Sequence, residues 1–175
     1  MFNKKDQMEN FTINQYINWF EYEKDAHAKT TASLLAVPEA KRKTKEFQKA
    51  VDLFAHIVGA RMLWLYRLGF LKGLPENLFP KNVKVESIHS MAGEMYSAWE
   101  NYLSKLDEKE LNRVFEYKST EDLWYTNRVE EILTQLFGHS WYHRGQIAQL
   151  VRMIGETPAE TDYVYWKRKP IAAKN

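Results

Sequence analysis

"LFGHSWYHRGQIAQL", residues Leu136–Leu150, reads as one side of a long helix, and its side is unusual. At about 100° per residue, Ile132, His139, His143, Gln146 and Leu150 fall within about 60° of one another. Two histidines therefore share the seam, one turn apart. Such a pair can take neighbouring positions on a single metal ion, or it can be a hydrogen-bonded polar pair in a core.

Working outward, the same run is bounded by clear signals. Asn127 with Glu130 three residues on opens a helix, and Gly155 with Thr157-Pro158 closes it, which predicts a helix over 128–154. Upstream, Thr12 with Gln15 has the pattern of a capping box, and Pro38 ends the segment, so a first helix is expected over 13–36. Ile13, Phe20, His27 and Leu34 recur there every seven residues. A second helix is expected over 45–68, meeting Gly69, and a third over 85–106, where Ile88, Met91, Met95, Trp99, Tyr102 and Leu106 keep three- and four-residue steps. "GFLKGLPENLFPKN" between them holds two glycines and two prolines and is long for a simple turn, which suggests a crossover. "RVFEY" and "DLWYT" across "KSTE" are expected to pair as a short β-hairpin. The expected fold is all-α: a single-domain four-helix bundle with one long crossover and a small hairpin before the last helix.

Composition narrows the function classes. The chain has 175 residues, enough for one substantial core, and its 25 basic and 23 acidic residues leave a net charge of +2 that recommends neither nucleic acid nor anionic lipid as a partner. The short basic runs "KRKTK" and "WKRKPIAAKN" fit solvated ends or partners of helix C-termini. No segment approaches the roughly 18 uninterrupted apolar residues of a membrane helix, and the opening "MFNKKDQMENF" has no apolar signal core, so a cytoplasmic location is expected. With no cysteine, disulfides, thiolate metal sites and a cysteine nucleophile are excluded, and any thiol chemistry needs an external thiol.

The metal reading gains weight from His56, the single histidine of the second helix, whose face also carries Leu53, Ala60 and Leu63. Three inward histidines in one small core each cost desolvation unless paired. A zinc-protease motif is rejected because Ser140 stands where HExxH needs glutamate. A di-iron bundle needs two ExxH motifs, and "ESIH", Glu86–His89, is the sole match.

These residues resemble a known family. "HIVGARMLWLYRL", the run "HSWYHRGQIAQLVRMIGETPAETDYVYW" and the "FEYKSTEDLWYTN" hairpin before the last helix are similar to the DinB/YfiT-like family of metal-binding four-helix bundles. The resemblance implies an up-down-down-up bundle and a divalent metal held by His56, His139 and His143. It assigns Gly145 a close-packing role and makes Arg144 and Gln146 supports of the site. Asp52 either orients the His56 ring or is a solvated helix-face residue. His27 either lines the cavity above the metal or is a core or rim histidine without chemistry, and His89 is a surface or capping residue of the third helix.

Three imidazoles leave a coordination position open, as in catalytic rather than structural zinc sites. Nitrogen donors without thiolates suit zinc, nickel or another late first-row ion, of which zinc or nickel is expected. The family's enzymes include users of low-molecular-weight thiols, so the leading expectation is a thiol-dependent transferase, or a hydrolase, acting on a small-molecule substrate. The residues beyond the metal ligands that would carry catalysis are not identifiable from the sequence. The competing expectation is a non-catalytic metal-binding or interaction protein, with a helix face forming a homodimer.

Overall fold

A computed structural model describes residues 4–75 and 78–171. Residues 1–3 of the opening stretch, residues 76–77 of the expected crossover and residues 172–175 of the basic terminal run lie outside the described residues.

Four long helices make the body: α1 (Lys4–Leu35), α2 (Lys45–Arg67), α3 (Ile88–Leu103) and, after the short α4 (Glu108–Leu111) and the hairpin β1 (Val114–Lys118) and β2 (Trp124–Arg128), α5 (Val129–Met153). A last short helix, α6 (Tyr163–Lys167), lies against α1, where Asn18 meets both the Tyr163 hydroxyl and Lys167. Among the described residues no helix is long and apolar enough to cross a membrane.

Contacts between side chains give the helix directions. His27 of α1 meets Phe54 and Tyr96, whereas Glu23 meets Arg61 and Phe20 meets Trp99, so α1 runs against both α2 and α3. Tyr16 meets Thr134, Trp19 meets Phe137 and His27 meets Ser140, so α1 runs with α5. The order is up-down-down-up. Because α2 and α3 run the same way, the chain must travel the length of the bundle between them, which is the work of the crossover.

Local chemistry sets most boundaries. The Thr44 side chain accepts from the Phe47 N–H to open α2. Gly69 and Gly155 adopt φ of +80° and +73°, and the N–H groups of Phe70 and Glu156 reach back to the carbonyls of Leu65 and Val151, so both helices end in the left-handed closure that glycine permits. The Arg42 guanidinium donates to the carbonyls of Leu35 and Val37 at the end of α1.

Several boundaries differ from expectation, including the start of the third helix, which lies at Ile88 because residues 85–87 form a separate 3-10 turn. The first helix begins by Lys4 rather than after Thr12, because "KKDQMENF" contains no breaker and is rich in good helix formers. The last helix begins one residue late: Asn127 is held in the ladder opposite Phe115, and it is Glu131 that accepts from the Arg128 N–H and the Asn127 amide. The third helix stops at Leu103, since Asp107 caps α4 by accepting from the Glu110 N–H.

The core is aromatic and aliphatic, but it encloses charge. Glu23 and Arg61 are both almost fully buried and form a two-point ion pair. The Arg61 guanidinium lies 5.6, 5.2 and 5.1 Å from the rings of Phe20, Trp99 and Phe137, and the Trp99 indole donates to the Arg61 carbonyl. Glu23 falls in the three- and four-residue rhythm Tyr16, Phe20, Glu23, His27, so the inward face of α1 carries an acid beside His27, with Thr30 and Thr31.

His27 is fully buried, with Nε2 3.0 Å from the Ser140 hydroxyl and Nδ1 3.2 Å from the Tyr96 hydroxyl. Burial, reinforced by Arg144 and Arg61, holds its pKa well below the ordinary 6.5. Glu23 lies 3.4 Å from its Nε2, but that carboxylate is already committed to Arg61.

Glu23→Ala would leave Arg61 charged and unpaired among rings, and urea unfolding should show a loss of about 3–5 kcal/mol; a loss under about 1 kcal/mol would mean the pair is not a structural anchor. For His27 the unfolded chain takes up a proton that the folded chain refuses, so stability falls as pH drops through the ordinary value of 6.5. His27→Gln should flatten that acid limb of the stability–pH curve; an unchanged slope would place the acid sensitivity elsewhere.

Candidate metal centre

His56 comes from the middle of α2, and His139 and His143 come from successive turns of α5. All three are partly buried, and a ligand atom of each lies within 4.8 Å of the others. His139 Nε2 is 3.2 Å from His56 Nε2 and 3.1 Å from His143 Nε2. A tetrahedral ion with metal–nitrogen bonds of about 2.0–2.1 Å keeps its ligand nitrogens about 3.3–3.4 Å apart, close to this spacing.

The outer nitrogens decide where the protons sit. His56 Nδ1 is 2.7 Å from the Leu78 carbonyl oxygen and His143 Nδ1 is 2.7 Å from Gln146 Oε1; both oxygens accept, so both Nδ1 atoms carry hydrogen. In the neutral imidazoles Nε2 is then the bare nitrogen, and its lone pair aims at His139. Burial, then the neighbouring His143, His56 and Arg61, push the His139 pKa down to about 4, and burial lowers that of His143 against the pull of Gln146. At neutral pH these two rings are neutral, and one His139 proton cannot satisfy two lone pairs at full strength. The convergence of imidazole lone pairs fits a divalent cation, and the three residues that would hold it are His56, His139 and His143.

The orienting groups come from distant parts of the chain. The crossover delivers the Leu78 carbonyl and stacks Phe79 on the His56 ring, with centroids 4.9 Å apart at 12°. Among the described residues, Asp52 makes no hydrogen bond to His56. Its carboxylate accepts from the N–H groups of Asn82 and Val83 and from Gln48, pinning the end of the crossover one turn below the ligand. Asn82 takes φ of 58°, a left-handed turn that asparagine tolerates. Asp52 thus positions His56 through the loop rather than directly.

Gln146 is a support of the site, as the family resemblance implies. Arg144 supports it from behind: Nη1 donates to Ser140 at 3.0 Å and Nη2 to the Tyr22 hydroxyl at 2.7 Å, and Tyr22 donates to the Thr161 carbonyl. Gly145 has no close-packing role, since a methyl group there would meet no atom within 4 Å. His27 belongs to the buried network behind Ser140, and His89 is exposed.

A solvent-open cleft of about 390 Å³ begins at His56 and His139 and runs between α2 and the hairpin. Trp64, Arg67, Leu78, Tyr117 and Glu121 are among its walls. Glu121 is the carboxylate of this lining, a residue that sequence reasoning missed because it lies in a turn with no periodicity to reveal it. The Thr120 hydroxyl lies 3.2 Å from its Oε1, and the hydroxyls of Ser119 and Thr120 hold its pKa below the usual carboxylate value.

Removing an orienting group should loosen the site without removing a ligand. Gln146→Ala and Asp52→Ala are expected to weaken metal affinity about 10–100-fold in competition against a chromogenic chelator. Unchanged affinity in Asp52→Ala would mean the loop is held by other contacts.

A search of curated proteins finds no match to the chain. The DinB family matches residues 1–171, nearly the whole of the 175 residues. With the bundle, the crossover and the three converging histidines in view, the chain belongs to the DinB family.

Proposed function

We propose that this protein is a metal-dependent enzyme acting on a small molecule, by transfer of an external low-molecular-weight thiol or by hydrolysis. The observation that carries the reading is the junction of the histidine cluster with an open cleft. A purely structural metal is closed off by its protein ligands, whereas two of these imidazoles, His56 and His139, border a cleft of about 390 Å³, within the range of ligand pockets. His56, His139 and His143 would hold a divalent ion, for which their nitrogen donors suit zinc or nickel, and the ion would supply Lewis-acid activation of a water or thiol.

The chain's own residues supply the rest. The Nδ1 partners keep His56 and His143 in the tautomer that presents Nε2 inward. Glu121 is available as the base that takes the proton of the water or thiol. The absence of cysteine means that a thiol nucleophile arrives from solution; the family likeness favours this route over hydrolysis.

Tag-free protein prepared without chelator should carry about one metal per chain by elemental analysis, and His139→Ala/His143→Ala should carry none. Metal absent even after reconstitution would sink the enzyme reading. Once turnover is found in a screen of thiol conjugation and hydrolysis, Glu121→Gln should lower kcat about 10²-fold or more with metal content unchanged; an unaffected kcat would remove Glu121 from the chemistry.

A further inference from the structure

The cleft at the histidines does not end blindly. A second cavity of about 780 Å³ lies against it and shares Leu63, Arg67, Leu78, Tyr117, Ser119 and Thr120 with it, so the two form one groove. Their far ends differ in chemistry. One end holds His56 and His139; the other is walled by Leu71, Leu74, Pro75 and Trp124. Leu74 and Trp124 are 61% and 69% exposed, large apolar groups left in water at the mouth.

Arg67 stands where the compartments meet. Its guanidinium lies 4.7 Å from the Trp64 ring and 5.0 Å from the Tyr117 ring, and Nη2 donates to the Lys118 carbonyl at 2.8 Å. That hydrogen bond uses one of five guanidinium N–H groups. Burial pulls the Arg67 pKa down, with Tyr117 and Glu121 opposing. The other charges on the walls are Lys118, which pairs with Asp122 at 2.8 Å, and the water-exposed carboxylates Glu116 and Glu121. His56 and Arg67 are eleven residues apart on one helix, about 16 Å along its axis, so the groove suits a ligand longer than a lone anion.

We propose that the groove takes an amphipathic carboxylate: its carboxylate against Arg67, its apolar part between Leu74 and Trp124, and its reacting end toward the three histidines. This deepens the reading of the preceding section by naming the class of substrate. Planar, bidentate recognition of a carboxylate is the task for which a half-buried, ring-stacked arginine is suited. The apolar mouth gives a hydrocarbon tail a surface that water otherwise covers.

The test uses octanoate, 1-octanol and acetate as probes, titrated by calorimetry into wild-type protein and into His139→Ala/His143→Ala, so that a carboxylate bound to the metal is distinguished from one bound to Arg67. Octanoate is expected to bind both proteins about tenfold more tightly than 1-octanol, with acetate much weaker than either. Arg67→Gln should erase the preference for octanoate over 1-octanol, and Arg67→Lys should restore part of it. Leu74→Ser, at an exposed coil position, should weaken octanoate and 1-octanol together and guards against a hairpin loosened by the Arg67 variants. Equal affinity for octanoate and 1-octanol, octanoate binding no tighter than acetate, or binding indifferent to Arg67 would overturn the proposal, even in protein that holds metal normally. Arg67-dependent binding of octanoate by protein that never takes up metal would uphold it while removing the enzyme reading.

Discussion

The buried Arg61 is the point on which the bundle turns. Its guanidinium meets a carboxylate from α1 and lies among rings from α1, α3 and α5, while its own carbonyl receives the Trp99 indole. A charge in such surroundings is tolerated only with its partner and its cation–π contacts in place, so each helix has few registers open to it. The functional consequence is positional. His56 lies five residues before Arg61, and His139 two residues after Phe137, so the contact that locks α2 against α5 also sets two ligands face to face. A slip of one turn would carry the ligands about 5 Å apart.

Behind the site, a chain of polar groups does for α5 what Arg61 does for α2. His27, Ser140, Arg144, Tyr22 and Thr161 connect the interior of α1 through α5 to the segment after it. Ser140 projects about 100° around the helix from His139 on the same turn. Fixing its hydroxyl fixes the rotation of the helix about its axis, and thereby the direction in which the two histidines point. The serine that rules out a protease motif has a structural reason to be there.

The crossover has a comparable double role. Its length follows from topology, because parallel neighbours α2 and α3 cannot be joined by a short turn. That length brings a backbone carbonyl to His56, an aromatic ring onto its face and a wall to the groove. Asp52 holds the returning strand of this loop, so an acid near a ligand in sequence acts on it by way of residues thirty positions away.

Local periodicity alone made four amphipathic helices legible, with the glycine closures at Gly69 and Gly155, a hairpin before the last helix and the common face of His139 and His143, whereas the second strand lies two residues later than expected, at Trp124–Arg128. The placing of His56 opposite them was also legible, because one histidine on one inward face leaves little choice. Tertiary structure alone decided the rest. The start of α5 moved to Val129 because Asn127 is paired in a ladder, a long-range competitor that a capping pattern does not reveal. Gly145 was free of packing, Asp52 reached a loop instead of a ring, and Glu23 found its partner across the core. The tautomers of His56 and His143, and the groove leading past Arg67 and Glu121, arise where turns and loops meet helices. Helical phase is set within a few residues, whereas the direction of a side chain at such a junction depends on partners that only the folded chain brings near.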